Sequence, residues 1–221
     1  VPPLTEEERK ESPLLIAVEP YSELPVDSKG FKGPVPELVG LKPFTPFSYY
    51  IKRKLFLHNM GHAICAYLGW QKKYEYISDS IRDQEIYNKT KSAMELMVRA
   101  LSKEYPQIPI DEIEANKDDL LQRFHNRALK DTIARVADDP LRKLRRDDRL
   151  AGAALYCLDS GIKPVEIVEG IVAALMYDNP NDSAAMKIQS DLAEFGLNYV
   201  MKHIMELDQN SEPAMLKSNA F

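Results

Sequence analysis

The sequence predicts a mainly α, multi-helical protein preceded by a short strand-rich segment, and three observations carry that prediction. The first is proline. Nine of the 15 prolines fall in the first 46 residues and none between Phe47 and Tyr105. Proline breaks helix interiors and central strands alike, so the chain changes character near Ser48. The second is periodicity: beyond Ser48, apolar residues recur at helical spacing almost to the end. The third is a set of start and stop signals that cut this stretch into helices of ordinary length.

Ahead of Ser48, the apolar run Leu14-Leu15-Ile16-Ala17-Val18, bounded by Pro13 and Pro20, reads as a buried strand. Ser28-Lys29-Gly30 and Lys32-Gly33-Pro34 read as turns. Residues 1–47 are too few to bury a core of their own and need a neighbour. Tyr50, Leu55, Phe56, Ala63 and Tyr67 then mark a helix that Gly69 ends. Asp83 to Glu104 is a second helix, with Ile86, Ala93, Leu96, Met97 and Leu101 on its inner side. Asp111 to Phe124 is a third. Asp139-Pro140 joins an N-cap to a proline at the first helical position. Ser160-Gly161 ends one helix and Pro164 opens the next, whose Val165, Val168, Ile171, Val172 and Leu175 form an apolar face. Ser183 to Glu206 supplies one or two more, broken near Gly196. The expected organisation is a strand-and-turn segment at 1–47, a helical domain at 48–207 and a flexible polar tail at 208–221.

Composition narrows the function. The chain has 221 residues, 44% hydrophobic and 29% charged, with a net charge of -5. That balance does not favour nucleic acid. No apolar run approaches the ~20 residues of a membrane span, and no signal peptide is present, so no membrane partner is expected. Cys65 and Cys157 both sit in helical apolar patterns and form neither a disulfide framework nor a CxxC motif, which fits a cytoplasmic protein with two buried thiols.

One stretch concentrates chemistry: Lys52-Arg53-Lys54-Leu55-Phe56-Leu57-His58-Asn59-Met60-Gly61-His62. On an α-helix, Lys54, His58, His62 and Asn59 project at roughly 0°, 40°, 80° and 140°, all on one side. A solvated face with two incidental histidines is the plain reading. Three chemical readings stand beside it. His58 and His62, four apart, suit a zinc pair, but Asn59 breaks the HExxH pattern and no third ligand is evident, so no metal is expected. Lys52, Arg53 and Lys54 suit phosphate binding but leave Asn59 unexplained. Alcohol–carbonyl redox chemistry uses every group: a lysine accepts the alcohol proton, an amide stabilises the developing alkoxide, and a histidine holds a neighbouring hydroxyl.

Lys54-x4-Asn59-x2-His62 resembles the signature of the polyol-specific long-chain dehydrogenases/reductases, the mannitol dehydrogenase family. The wider string Arg53-Lys54-Leu55-Phe56, Asn59, Gly61-His62-Ala63 and Ala66-Tyr67-Leu68-Gly69 is similar to the mannitol-1-phosphate 5-dehydrogenase branch. Matches continue in order along nearly the whole chain. Val18-Glu19, Val26-Asp27 and Phe31-Lys32-Gly33 resemble the segment leaving the nucleotide domain. Arg123-Phe124-x-Asn126, Leu129-Lys130-Asp131, Arg135-Val136, Asp139-Pro140-Leu141-Arg142-Lys143-Leu144 and Asp148-Arg149-Leu150 follow.

The resemblance implies a C-terminal, helical substrate domain of a zinc-independent, NAD-dependent enzyme that interconverts D-mannitol 1-phosphate and D-fructose 6-phosphate. In it Lys54 is the general acid/base, Asn59 a donor to the reacting oxygen, and His62 a contact to substrate hydroxyls. Arg142, Lys143 and Arg149 fall on the family's basic substrate-binding stretch and are the phosphate candidates; Arg145 and Arg146 read as a solvated face. Three departures stand out. Arg127 follows Asn126 where the family often has proline. Lys52 and Ile51 stand where the family often carries a glutamate before the lysine, which sets a like charge beside Lys54. His58 lies outside the signature. The family's NAD-binding half needs G-x-G-x-x-G, which the nine glycines here do not form. The chain, starting at Val1, therefore reads as the C-terminal piece of a longer enzyme, with its missing Rossmann domain as partner and no turnover alone. Two alternatives remain. One is a family activity on unphosphorylated mannitol, arabinitol or a hexuronate. The other is a non-catalytic helical module that binds phosphorylated ligands.

Overall fold

The computed structural model describes residues 6–16 and 23–207. Helix α1 (Glu6–Glu11) is followed by two short strands, β1 (Leu24–Asp27) and β2 (Leu41–Phe44), and then by helices alone. These are α2 (Phe47–Lys52), α3 (Met60–Gln71), α4 (Ile77–Ser80), α5 (Gln84–Glu104), α6 (Ile110–Phe124) and α7 (Ile133–Ala137). They continue with α8 (Pro140–Lys143), α9 (Ala151–Asp159), α10 (Val165–Leu175), α11 (Ser183–Phe195) and α12 (Leu197–His203). The mainly helical class read from the sequence is what forms.

The strands pair in parallel, Leu24 opposite Leu41 through Asp27 opposite Phe44. Each contains a proline, Pro25 and Pro43, which a two-stranded sheet tolerates because both strands are edges. The Asp27 carboxylate accepts the Lys29 amide at 3.0 Å and caps the 3₁₀ turn Ser28–Gly30. The expected strand at Leu14–Val18 does not form in its described part: Leu14 is 92% and Ile16 70% exposed, outside any strand. Among the described residues, this run pairs with neither β1 nor β2. Ala17, Val18, Glu19 and the polar tail from Asp208 lie outside the described residues.

Helix α3 is the centre of the core. Met60, Ala63, Ile64, Cys65, Ala66 and Tyr67 are all buried, the all-round burial of an interior helix. Helices α5, α7 and α10 pack around it. Gly170 sets the α3–α10 distance: a Cβ there would lie 2.5 Å from Ile64 Cγ1. The buried face of α10 is turned from the expected one. Val168, Ile171 and Leu175 are buried, but Val165 is exposed and Val172 only half-buried; Ile167, Gly170, Ala173 and Ala174 fill the inner side. Close contact with α3 favours Gly170, Ala173 and Ala174 over larger side chains there. The thiols of Cys65 and Cys157 are free and buried, and burial pushes Cys65 up to about 12.

The helix starts follow their side chains. Asp83 accepts the amides of Glu85 and Ile86 to cap α5, and Asp139 accepts the Arg142 amide to cap α8. No helix among the described residues is long and apolar enough to cross a membrane.

Candidate functional site

The rod that carries the motif is not one uniform helix. Between α2 and α3, residues Arg53–Asn59 form a π-helical turn. Such turns are rare and close i→i+5 hydrogen bonds in place of i→i+4. Five residues make roughly 140° on an α-helix, but in a π turn they lie nearly over one another. Lys54 and Asn59, five apart, are therefore brought toward one row. Lys54 is exposed and Asn59 half-buried.

Lys54 opens onto a pocket of about 440 Å³. Arg53, His58 and Tyr50 line it from the same rod, Asn116, Asp119 and Arg123 from α6, and Glu23 from the start of β1. Asn59 and His62 are not among its lining residues. Lys52 turns toward α5. Its ammonium reaches both carboxylate oxygens of Glu104 at 2.7 Å and sits 4.7 Å over the Tyr156 ring. The Lys52 ammonium is thus paired with α5.

His62 begins the second half of the site. Its ring stacks on Phe124 of α6, centroids 4.8 Å apart and planes 12° from parallel. His58 stands 6.1 Å from both rings. Nε2 of His62 is buried without a hydrogen-bond partner, and Asp131 Oδ2 lies 3.5 Å away. Burial first, and then the charges of Arg135, Arg149, Arg123 and Lys143, bring the imidazole down to about 3. It is a neutral ring inside a ring of cations.

The basic stretch divides. Lys143 is buried, 3% exposed, and burial, followed by Arg149 and Arg142, lowers its ammonium to about 8. Arg149 is mostly buried and donates through Nε to Asp148 at 2.8 Å. Arg142 lies on the surface, 3.5 Å from Asp139. The charges of Lys143 and Arg149 both act on His62, while Arg142 is exposed. Arg145 and Arg146 are exposed.

Sequence reasoning missed four contributors: Arg123, Asp131, Arg135 and Asp119. Three of these lay inside matched strings, Arg123-Phe124-x-Asn126, Leu129-Lys130-Asp131 and Arg135-Val136, so a signal existed without a role. Asp119 carried none.

The helical body carries the Lys54-x4-Asn59-x2-His62 string by which the sequence resembles the mannitol dehydrogenase class. Residues 47–216 match the family described as the mannitol dehydrogenase C-terminal domain, and the chain belongs to it. The mannitol-1-phosphate 5-dehydrogenase of Bacillus licheniformis is 38% identical over 200 residues, 90% of this chain and 52% of that protein. The enzyme of the same name from Thermoanaerobacter pseudethanolicus is 38% identical over 204 residues, 92% and 52%. The chain spans about half the length of these relatives. Among solved structures, the Pseudomonas fluorescens mannitol 2-dehydrogenase ternary complex with NAD and D-mannitol shares the fold. Its TM-score is 0.66 at 19% identity, over 82% of this chain and 39% of its own.

Proposed function

We propose that this chain is the substrate-side half of an NAD-dependent polyol-phosphate dehydrogenase, interconverting D-mannitol 1-phosphate and D-fructose 6-phosphate. The observation that carries the substrate is the burial of Lys143 and the near-burial of Arg149 in the basic stretch, whose charges, with those of Arg123 and Arg135, act on the His62 imidazole. The relatives' names point the same way.

The chain lacks the glycine fingerprint of a dinucleotide site, so the cofactor belongs to the other half of a longer protein. NAD held there would supply the hydride acceptor for the carbinol carbon. Within this chain, Lys54 in its amine form takes the hydroxyl proton and returns it in the reverse direction. Asn59 donates to the same oxygen as charge builds on it. His62, neutral, accepts from a neighbouring hydroxyl. Lys143 and Arg149 hold the phosphate, Arg149 by its planar fork.

In a protein carrying both halves, Lys54→Ala should lower kcat by roughly 10²–10⁴-fold and leave NADH binding intact. Loss of NADH binding would contradict the assignment. The chain alone should show no turnover. A second reading, an uncharged polyol substrate, draws on the acids beside two of the cations: Asp139 at Arg142 and Asp148 at Arg149. Lys143→Met decides between them. A rise in KM for mannitol 1-phosphate alone supports the phosphate contact, and an equal rise for mannitol supports the second reading.

A further inference from the structure

We propose that Asp131 is a positioning residue for His62: its carboxylate fixes the imidazole with Nε2–H turned inward and leaves Nδ1 to accept from a ligand hydroxyl. This rests on the substrate-site reading of His62 given above.

A neutral imidazole has one donor and one acceptor nitrogen, so the buried Nε2 must either find a donor or offer its proton to an acceptor. The cations whose charges act on the ring are Arg123 from α6, Arg135 from α7, Lys143 from α8, and Arg149 just before α9. All four are donors only, so none can take a proton from Nε2–H. The carboxylate facing that nitrogen is Asp131, with Oδ2 at 3.5 Å. A shift of about 0.5 Å turns this approach into an ordinary hydrogen bond, and hydrogen bonds in unliganded sites are often loose until a ligand tightens them.

Asp131 is itself held firmly. Its carbonyl accepts the Ile77 amide at 2.9 Å. The next residue, Thr132, bridges to Tyr76. Its carboxylate also pairs with Arg135 one turn along. Phe124 holds the ring plane from the other side. The sequence therefore supplies a fixed acceptor, a fixed plane and a single remaining degree of freedom, the tautomer.

Long-range proton–nitrogen NMR of the four histidines, with His62→Gln identifying the resonances, reads that tautomer directly. At pH 7 the unaltered protein should show His62 as Nε2–H. Asp131→Ala should give a tautomer mixture, and Asp131→Asn, which keeps an oxygen in place, should restore a majority of Nε2–H. An Nδ1–H tautomer in the unaltered protein overturns the proposal, and this readout stands even if the alanine variant fails to fold. An Asp131→Ala variant that folds and keeps Nε2–H overturns it equally. With both halves present, Asp131→Ala should raise KM for the polyol substrate roughly tenfold, and Asp131→Asn should recover most of that loss. Failure of the dehydrogenase reading appears separately, as turnover that survives Lys54→Ala while the tautomer result holds.

Discussion

Burial holds two titratable side chains of the site away from their solution behaviour, and each makes stability depend on pH. His62 titrates near 6.5 when unfolded and at about 3 when folded. The folded state therefore binds fewer protons across that window. The associated stability is whole above pH 6.5 and is lost as pH falls toward 3. Thermal melts should show that His62→Gln flattens this acid-side decline. Lys143 works in the basic range, with a folded value of about 8 against 10.5. Below pH 8 its buried ammonium costs on the order of 3 kcal/mol, and that cost disappears as pH rises from 8 to 10.5. Lys143→Met should therefore raise Tm at pH 7 by roughly 5–10 °C, with the advantage fading by pH 10.5. The phosphate role proposed for Lys143 accounts for a residue that lowers stability at working pH beside Arg149 and Arg142. The motif residues Lys54, Asn59 and His62 were legible because their spacing is local. The partnership of Asp131 with His62 was not, because it joins residues brought together only by the packing of α3 and α7.

At the scale of elements, the π turn reshapes the site helix. Its widened ring was illegible in the sequence, since any projection at roughly 100° per residue assumes an α-helix throughout. Helix starts were legible because Asp83 and Asp139 cap by chemistry that acts over three residues. Deleting Leu55 should convert the π turn to regular helix, leave the circular dichroism nearly unchanged, and keep Lys54 and Asn59, then four apart, within roughly 40° of each other. Turnover of the two-halved protein should survive in part; its complete loss would show that more than this row matters. The contact of α10 with α3 offers a test of packing. Gly170→Ala places a methyl against Ile64 and should cost about 1–3 kcal/mol, read as a fall in Tm. The rotated face of α10 was hidden for the same reason: valine and alanine share its surface, and only the partner helix decides which goes inward.

At the scale of the molecule, the two-stranded parallel sheet is the part least able to stand alone. Parallel sheets are ordinarily covered on both faces, yet Leu24 of β1 is 61% exposed, and Leu38 and Val39 in the connection leading to β2 are exposed too. In a protein that includes the nucleotide-binding half, amide exchange across 24–27 and 41–44 should slow markedly; unchanged exchange would place that half elsewhere. The parallel pairing itself could not be read from residues 1–47, because register depends on what lies beyond them.

The ring of four cations around His62 sits in a molecule whose net charge is -5. From afar such a body repels a phosphorylated sugar; within a few ångströms it attracts one. Screening separates the two regimes, since interactions beyond about 10 Å fade at 0.1 M salt while short, buried ones persist. Moderate salt should therefore speed the arrival of a dianionic ligand even as it loosens the final grip. An uncharged polyol would be indifferent to both, so ionic strength becomes a dial that sorts ligands by charge.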